Sequence, residues 1–213
     1  MTDSTVSILG YGSLLSRGSA ERTFGRLPPP RVVDVPGYAR VFNKVCVHSI
    51  KSGAAAPDQL EIGCACAVPL PGQKLTAALL RVPSDRAASF FAREREFRII
   101  EASYLDVTTL KRGKALLSTM WTEQGLRDSF ESDEVFDREI GQYCGGKMWR
   151  PDILPARAYL RCCLDGAEGL QIRDAFVNES LLADRSSLSE YLERRAASPE
   201  PDGKTPARYT TPE

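Results

Sequence analysis

Histidine is almost missing from this chain: among 213 residues only His48 carries an imidazole. A Ser-His-Asp or Cys-His machine would have to be built on that one side chain. It sits in VFNKVCVHSI, which reads as a strand with no motif around it, so a structural histidine is expected. No His/Asp/Glu cluster has the spacing of metal ligands. Cys64-x-Cys66 and the adjacent Cys162-Cys163 lack the C-x-x-C spacing of common zinc sites. An excess of charge is missing too. Lys plus Arg and Asp plus Glu number 28 each, so the formal net charge is zero. A neutral chain without a long basic run has no bulk electrostatic reason to bind nucleic acid or anionic lipid. No apolar stretch is long enough to span a bilayer. The opening MTDSTVSILGYG lacks the basic region and apolar run of a signal peptide. These absences predict a soluble, cytoplasmic protein with reduced, buried cysteines and no nucleic-acid or membrane partner. Nothing in the sequence speaks to oligomeric state.

What is present is ordinary for a globular chain: 42% apolar and 26% charged residues. TVSILGYGSLL reads as a buried strand feeding a glycine loop, and RVVDVPGYARVFNKVCVHSI as strand broken near Pro36-Gly37. LEIGCACAVPL reads as a strand closed by Pro69, Pro71 and Gly72, with Cys64 and Cys66 on one face. A helix is expected over about 84–95, capped by Ser84. A strand at FRIIEASYLDVTTL turns at Arg112-Gly113 into KALLSTMWT. Residues 123–150 read as helical or irregular. A helix follows Pro155 and ends near Gly166 or Gly169, and another starts at Ser186 or Ser187. Strands with few helices between them predict an α+β domain, residues 1–197, around a mixed or closed sheet. The Pro-rich polar segment 198–213 is expected to be disordered.

Two features carry chemistry. In SDRAASFFARERE, stepping about 100° per residue from Phe90 puts Ala87 near about 60°, Phe91 near about 100°, Glu94 near about 40° and Glu96 near about 240°. Glu94 therefore falls in the apolar stripe and Glu96 opposite it. A carboxylate held against apolar surface is costly unless paired, and burial shifts it toward acid–base use. A helix end, or pairing with a nearby Arg, would account for Glu94 as well. The second feature is Gly10-Tyr11-Gly12-Ser13-Leu14. No G-K-[ST] follows, and the spacing is not G-x-G-x-x-G. Its glycines permit positive φ or close approach of a ligand, and its amides could hold a carboxylate or oxyanion. An ordinary tight turn has the same composition.

Together these residues resemble the γ-glutamylcyclotransferase (AIG2-like) superfamily. Gly10 to Leu14 is similar to the family's strand ending [FY]-x-Y-G-S-[LN]. Arg93, Glu94 and Phe97 fit its R-E-x-x-[YF] acid motif, with Phe97 where Tyr is commoner. Pro36-Gly37-Tyr38 with Arg40, Phe42 and Asn43 resembles the G-Y-x-R-x-F-N strand of bacterial members. The resemblance implies a compact fold around a small mixed β-barrel with flanking helices. It implies cyclisation of a γ-glutamyl group: the substrate's α-amine attacks its γ-carbonyl, releasing 5-oxoproline and an amine, amino acid or peptide. Glu94 would be general base and acid, and Tyr11, Gly12, Ser13 and Leu14 would bind substrate, with no cofactor or metal. On that reading Glu96 is a neutral control position. Residues 123–150 are the candidate for specificity toward the leaving half. Tyr104 or Tyr143 could line the pocket, with core packing the expected role of each. Alternatives are a γ-glutamylamine cyclotransferase or amide hydrolase on the same scaffold, and a non-catalytic small-molecule binding module. A redox protein using Cys162-Cys163 is a further alternative that adjacent pairing disfavours.

Overall fold

The apolar, β-branched stretches wrap into a barrel. The computed structural model describes residues 4–197. Its strands are β1 (Thr5–Gly10), β2 (Arg31–Val45), β3 (Gly63–Pro83), β4 (Arg98–Asp106), β5 (Arg112–Thr119) and β6 (Ser180–Leu182). Antiparallel pairs β1–β3, β3–β2, β2–β4 and β4–β5, with a parallel β5–β1 contact, close the ring. β6 adds to β2 in parallel. The helices are α1 (Arg17–Phe24), α2 (Val47–Lys51), α3 (Ala87–Arg93), α4 (Glu123–Asp128), α5 (Asp133–Phe136), α6 (Gln142–Cys144), α7 (Arg157–Gly169), α8 (Arg173–Glu179) and α9 (Leu188–Ala197). This is the expected α+β class: a mixed β-barrel with flanking helices. The segment 198–213, expected to be disordered, lies outside the described residues.

Four local expectations need correction. β3 does not stop at Pro69–Gly72 but runs on through Leu75–Val82. Pro36 faces Lys74 and Tyr38 faces Pro69, with a register shift between them. Gly37 (φ 81°) and Gly72 (φ 83°) let the two strands bulge together there, and a bulge tolerates proline. The second half of β3 carries no period-2 signal, because Leu75, Ala77, Ala78 and Leu79 are all buried, which erases alternation. His48 lies in α2, not in a strand. Ser84 opens a 3₁₀ turn (Ser84–Arg86) before α3 rather than capping a helix, and its hydroxyl donates to Ser4 Oγ at 2.9 Å. The β4–β5 turn comes before Arg112. Asp106 Oδ1 accepts from the Thr108 and Thr109 amides at 3.1 and 2.7 Å, and Leu110 adopts φ 56°.

The main core fills the barrel and its contact with α1, α3, α7 and α8, with Leu9, Val33, Leu75, Phe90, Leu117 and Phe176 buried in it. A second cluster joins α4–α6 to the end of β2 and to α2 through Val45, Ile62, Leu126, Phe136 and Met148. Cys64 and Cys66 are both buried, but so is Ala65 between them, so strand alternation does not separate core from surface here. All six cysteines are free thiols; Cys162 is the partly exposed one.

Candidate active site

β1 delivers the glycine loop into the barrel. The chain then tightens into a 3₁₀ turn (Ser13–Leu15), in which the Leu15 amide donates to Gly12 O at 2.9 Å and the Ser16 amide to Ser13 O at 3.1 Å. The first amides of such a turn have no acceptor within it, which makes the Ser13 and Leu14 N–H groups candidate donors for a ligand. The glycines are not used for positive φ: neither Gly10 nor Gly12 has it. They are used for closeness. A Cβ on Gly12 would sit 2.3 Å from the Tyr159 hydroxyl, and one on Gly10 would sit 2.8 Å from Leu14 Cβ.

Two buried groups hold the loop. The Tyr11 hydroxyl donates to the Ser118 carbonyl at 2.7 Å. Arg40, fully buried, donates from Nε to the Tyr11 carbonyl at 2.7 Å, with further bonds to Thr76 O at 2.6 Å and Ser180 Oγ at 2.9 Å. Its guanidinium stacks 4.1 Å from the Phe176 ring centroid. Burial pulls the Arg40 pKa down to about 10, and burial raises that of Tyr11.

α3 delivers the acid. The helix ends at Arg93, and Glu94 is its C-cap, donating its amide to Phe90 O at 2.9 Å. Only Phe90 of the expected stripe is buried there; Phe91 is half-exposed. The Glu94 side chain, 13% exposed, lines the cleft and pairs with Arg93 Nε at 3.1 Å. The same guanidinium donates to Ser13 Oγ at 2.8 Å, Ser19 Oγ at 3.2 Å and Thr23 Oγ1 at 2.6 Å. Arg93 thus ties the acid, the glycine loop and α1 together.

These elements border one cleft with a cavity volume of about 140 Å³. Tyr11, Gly12, Ser13, Leu14 and Glu94 all line it. Glu96 lines it as well, which corrects the expectation of an outward control position. The helix has ended by then, and a turn closed by the Phe97 amide on Glu94 O at 2.8 Å replaces the 100° step. The Glu96 carboxylate accepts a hydrogen bond from the Lys44 ammonium. Lys44 is buried, donates also to Val45 O at 3.2 Å, and lies 4.7 Å from the Phe97 ring centroid. Burial alone would lower the Lys44 pKa; the Glu96 charge and hydrogen bond, together with the neighbouring Cys64 and Cys46, outweigh it, and the net shift is upward.

Tyr159, on α7, lines the cleft, whereas Tyr104 and Tyr143 do not. No residue of 123–150 lines it either. His48 does. The sequence alone assigns no role to Lys44 or Tyr159, names Arg40 only within a strand resemblance, and offers Glu96 only as a control position. For Lys44 and Arg40 the signal was there: a lone cation inside an apolar strand run, the same anomaly that marked Glu94. Among the described residues no group of three His, Cys, Asp or Glu could hold a metal ion, and no helix is long and apolar enough to cross a membrane.

No family model and no curated protein matches this sequence. Solved structures do match. A γ-glutamyl cyclotransferase aligns with TM-score 0.56 at 12% identity, covering 97% of this chain and 94% of that one. An uncharacterized protein from Homo sapiens gives TM-score 0.56 at 13% identity, over 96% and 94% of the two chains. A γ-glutamyl cyclotransferase specific to glutathione, from yeast, gives TM-score 0.50 at 12% identity, over 91% and 96%. The barrel, its helical flanks and these alignments together show that this chain has the fold of the γ-glutamyl cyclotransferases.

Proposed function

We propose that the chain is a γ-glutamyl cyclotransferase-like enzyme that converts a γ-glutamyl amide to 5-oxoproline and a free amine, amino acid or peptide. The observation that carries this reading is the meeting of Glu94 with the Tyr11–Leu14 loop in one cleft of a shared fold. The nucleophile is the substrate's own α-amine, so no Ser or Cys nucleophile is required. Five-membered closure gains from high effective molarity once the substrate is held folded. Glu94 takes a proton from the α-ammonium and returns one to the leaving nitrogen. The Arg93 guanidinium aims the carboxylate, and its bond to Ser13 Oγ keeps the loop in register with it. The Ser13 and Leu14 amides serve the substrate carboxylate or the developing oxyanion. The Lys44–Glu96 pair borders the same space and is placed to read a polar group on the substrate.

The test is a panel of γ-glutamyl compounds, covering a γ-glutamyl amino acid, a γ-glutamylamine and glutathione, with mass-spectrometric detection of products. The reading predicts 5-oxoproline from at least one of them. Free glutamate in its place would make the protein a hydrolase, and ligand binding without turnover would make it a binding module.

A further inference from the structure

The cleft holds two thiols for which the cyclisation has no use. Cys46 and Cys64 both line it. β2 and β3 bring them together: Lys44 faces Cys64, Val45 faces Gly63, and the Cys46 amide donates to Ile62 O at 2.7 Å. Cys46 and Cys64 are therefore diagonal cross-strand neighbours. The Cys46 Sγ accepts a hydrogen bond from Ser49 Oγ at 3.1 Å, and the Lys44 ammonium lies close by. A donor hydroxyl and a buried cation stabilise a thiolate. The bond from Cys64, then those from Ser49, bring Cys46 down to about 7, whereas burial or a neighbouring thiol pushes up every other cysteine. Cys66, two residues from Cys64 on the same strand, is pushed up to about 12 by burial.

We propose that Cys46 and Cys64 form an oxidisable dithiol in the wall of the cleft, with Cys46 as the attacking thiolate and Cys64 as the resolving thiol. The oxidant is hydrogen peroxide, which is small enough to enter the cleft that both thiols line. The Cys46 thiolate attacks one peroxide oxygen, the O–O bond breaks and hydroxide leaves, giving a sulfenic acid. The Cys64 sulfur then attacks the sulfenic sulfur and the S–O bond breaks. Water departs with the Cys64 proton. The proton earlier released from Cys46 neutralises the hydroxide. Two thiols lose two electrons, and one peroxide becomes two waters. The disulfide pins the start of α2 to β3 beside the cleft.

The test treats the native protein with hydrogen peroxide, alkylates the remaining thiols and maps peptides without reduction. The proposal predicts a Cys46–Cys64 cross-link, reversed by dithiothreitol, with fragmentation excluding Cys66. Cys64→Ser should stop at a Cys46 sulfenic acid that dimedone traps, and Cys46→Ser should give neither species. Oxidation confined to the partly exposed Cys162, or a Cys46 that stays alkylatable after peroxide, would overturn it. Thermal unfolding of both variants guards against loss of fold. The readout is mass, not turnover, so the result stands apart from the proposed cyclisation.

Discussion

Glu94 is the residue on which the chemistry turns. Glu94→Gln keeps the Phe90 and Phe97 backbone bonds but cannot take a proton. Loss of a positioned acid–base costs about 10²–10⁴-fold in rate, so kcat for 5-oxoproline should fall by that order while the protein stays folded. Glu96→Gln is a different experiment from the control its sequence position suggested. It leaves the Lys44 ammonium buried beside a neutral amide. Breaking a buried pair costs about 3–5 kcal/mol, and Glu96, 23% exposed, belongs at or below the lower end of that range. Urea titration should show the loss, and Lys44→Met combined with Glu96→Gln should recover much of it. An additive double mutant would mean that the two groups do not interact. Both carboxylates sit in the same short run of sequence, yet only one was readable as a site residue. Glu94 lies within reach of helical periodicity; Glu96 lies past the helix end, where a turn that no propensity announces re-aims it.

At the scale of elements, the site is a junction between a loop that must be thin and a helix that presses on it. Gly12→Ala puts a methyl 2.3 Å from the Tyr159 hydroxyl. The loop must move, so activity should drop more than stability does. Gly12→Ala with Tyr159→Phe removes the clashing oxygen and should regain turnover relative to Gly12→Ala alone; no regain would place the defect elsewhere. Gly166→Ala tests the helix side. Its Cβ would lie 2.4 Å from the Ser16 nitrogen and 2.6 Å from the Leu15 carbonyl carbon, backbone atoms that cannot rotate away. Overpacking of this kind costs about 1–3 kcal/mol, measurable as a lower denaturation midpoint. The glycines of the loop were legible in sequence, but their purpose was not. Positive φ or the close approach of a ligand was the natural inference, whereas the reason for Gly12 is the close approach of Tyr159, more than a hundred positions away in the chain.

Across the whole molecule, the class of fold was readable because strands of apolar, β-branched residues recur with little helix between them. The β2–β3 pair was only half readable, because a strand buried on both faces has no alternation and its prolines mimic an ending. Residues 123–150, a candidate for specificity by sequence, do not line the cleft; they build a second core against α2. Arg40 links these levels. One buried guanidinium bonds β3, the β6 start and the loop carbonyl. Arg40→Met would leave several buried acceptors unpaired, at about 1–3 kcal/mol each, so the variant should lose most of its folded stability. A variant that unfolds at the wild-type denaturant concentration would contradict that role.

The decisive assay places wild type and Glu94→Gln side by side on whichever γ-glutamyl compound the panel selects and follows 5-oxoproline by mass spectrometry. Product from the wild type that nearly vanishes in a folded Glu94→Gln protein is the predicted result. Undiminished product from that variant would contradict Glu94 as the acid–base of this cleft.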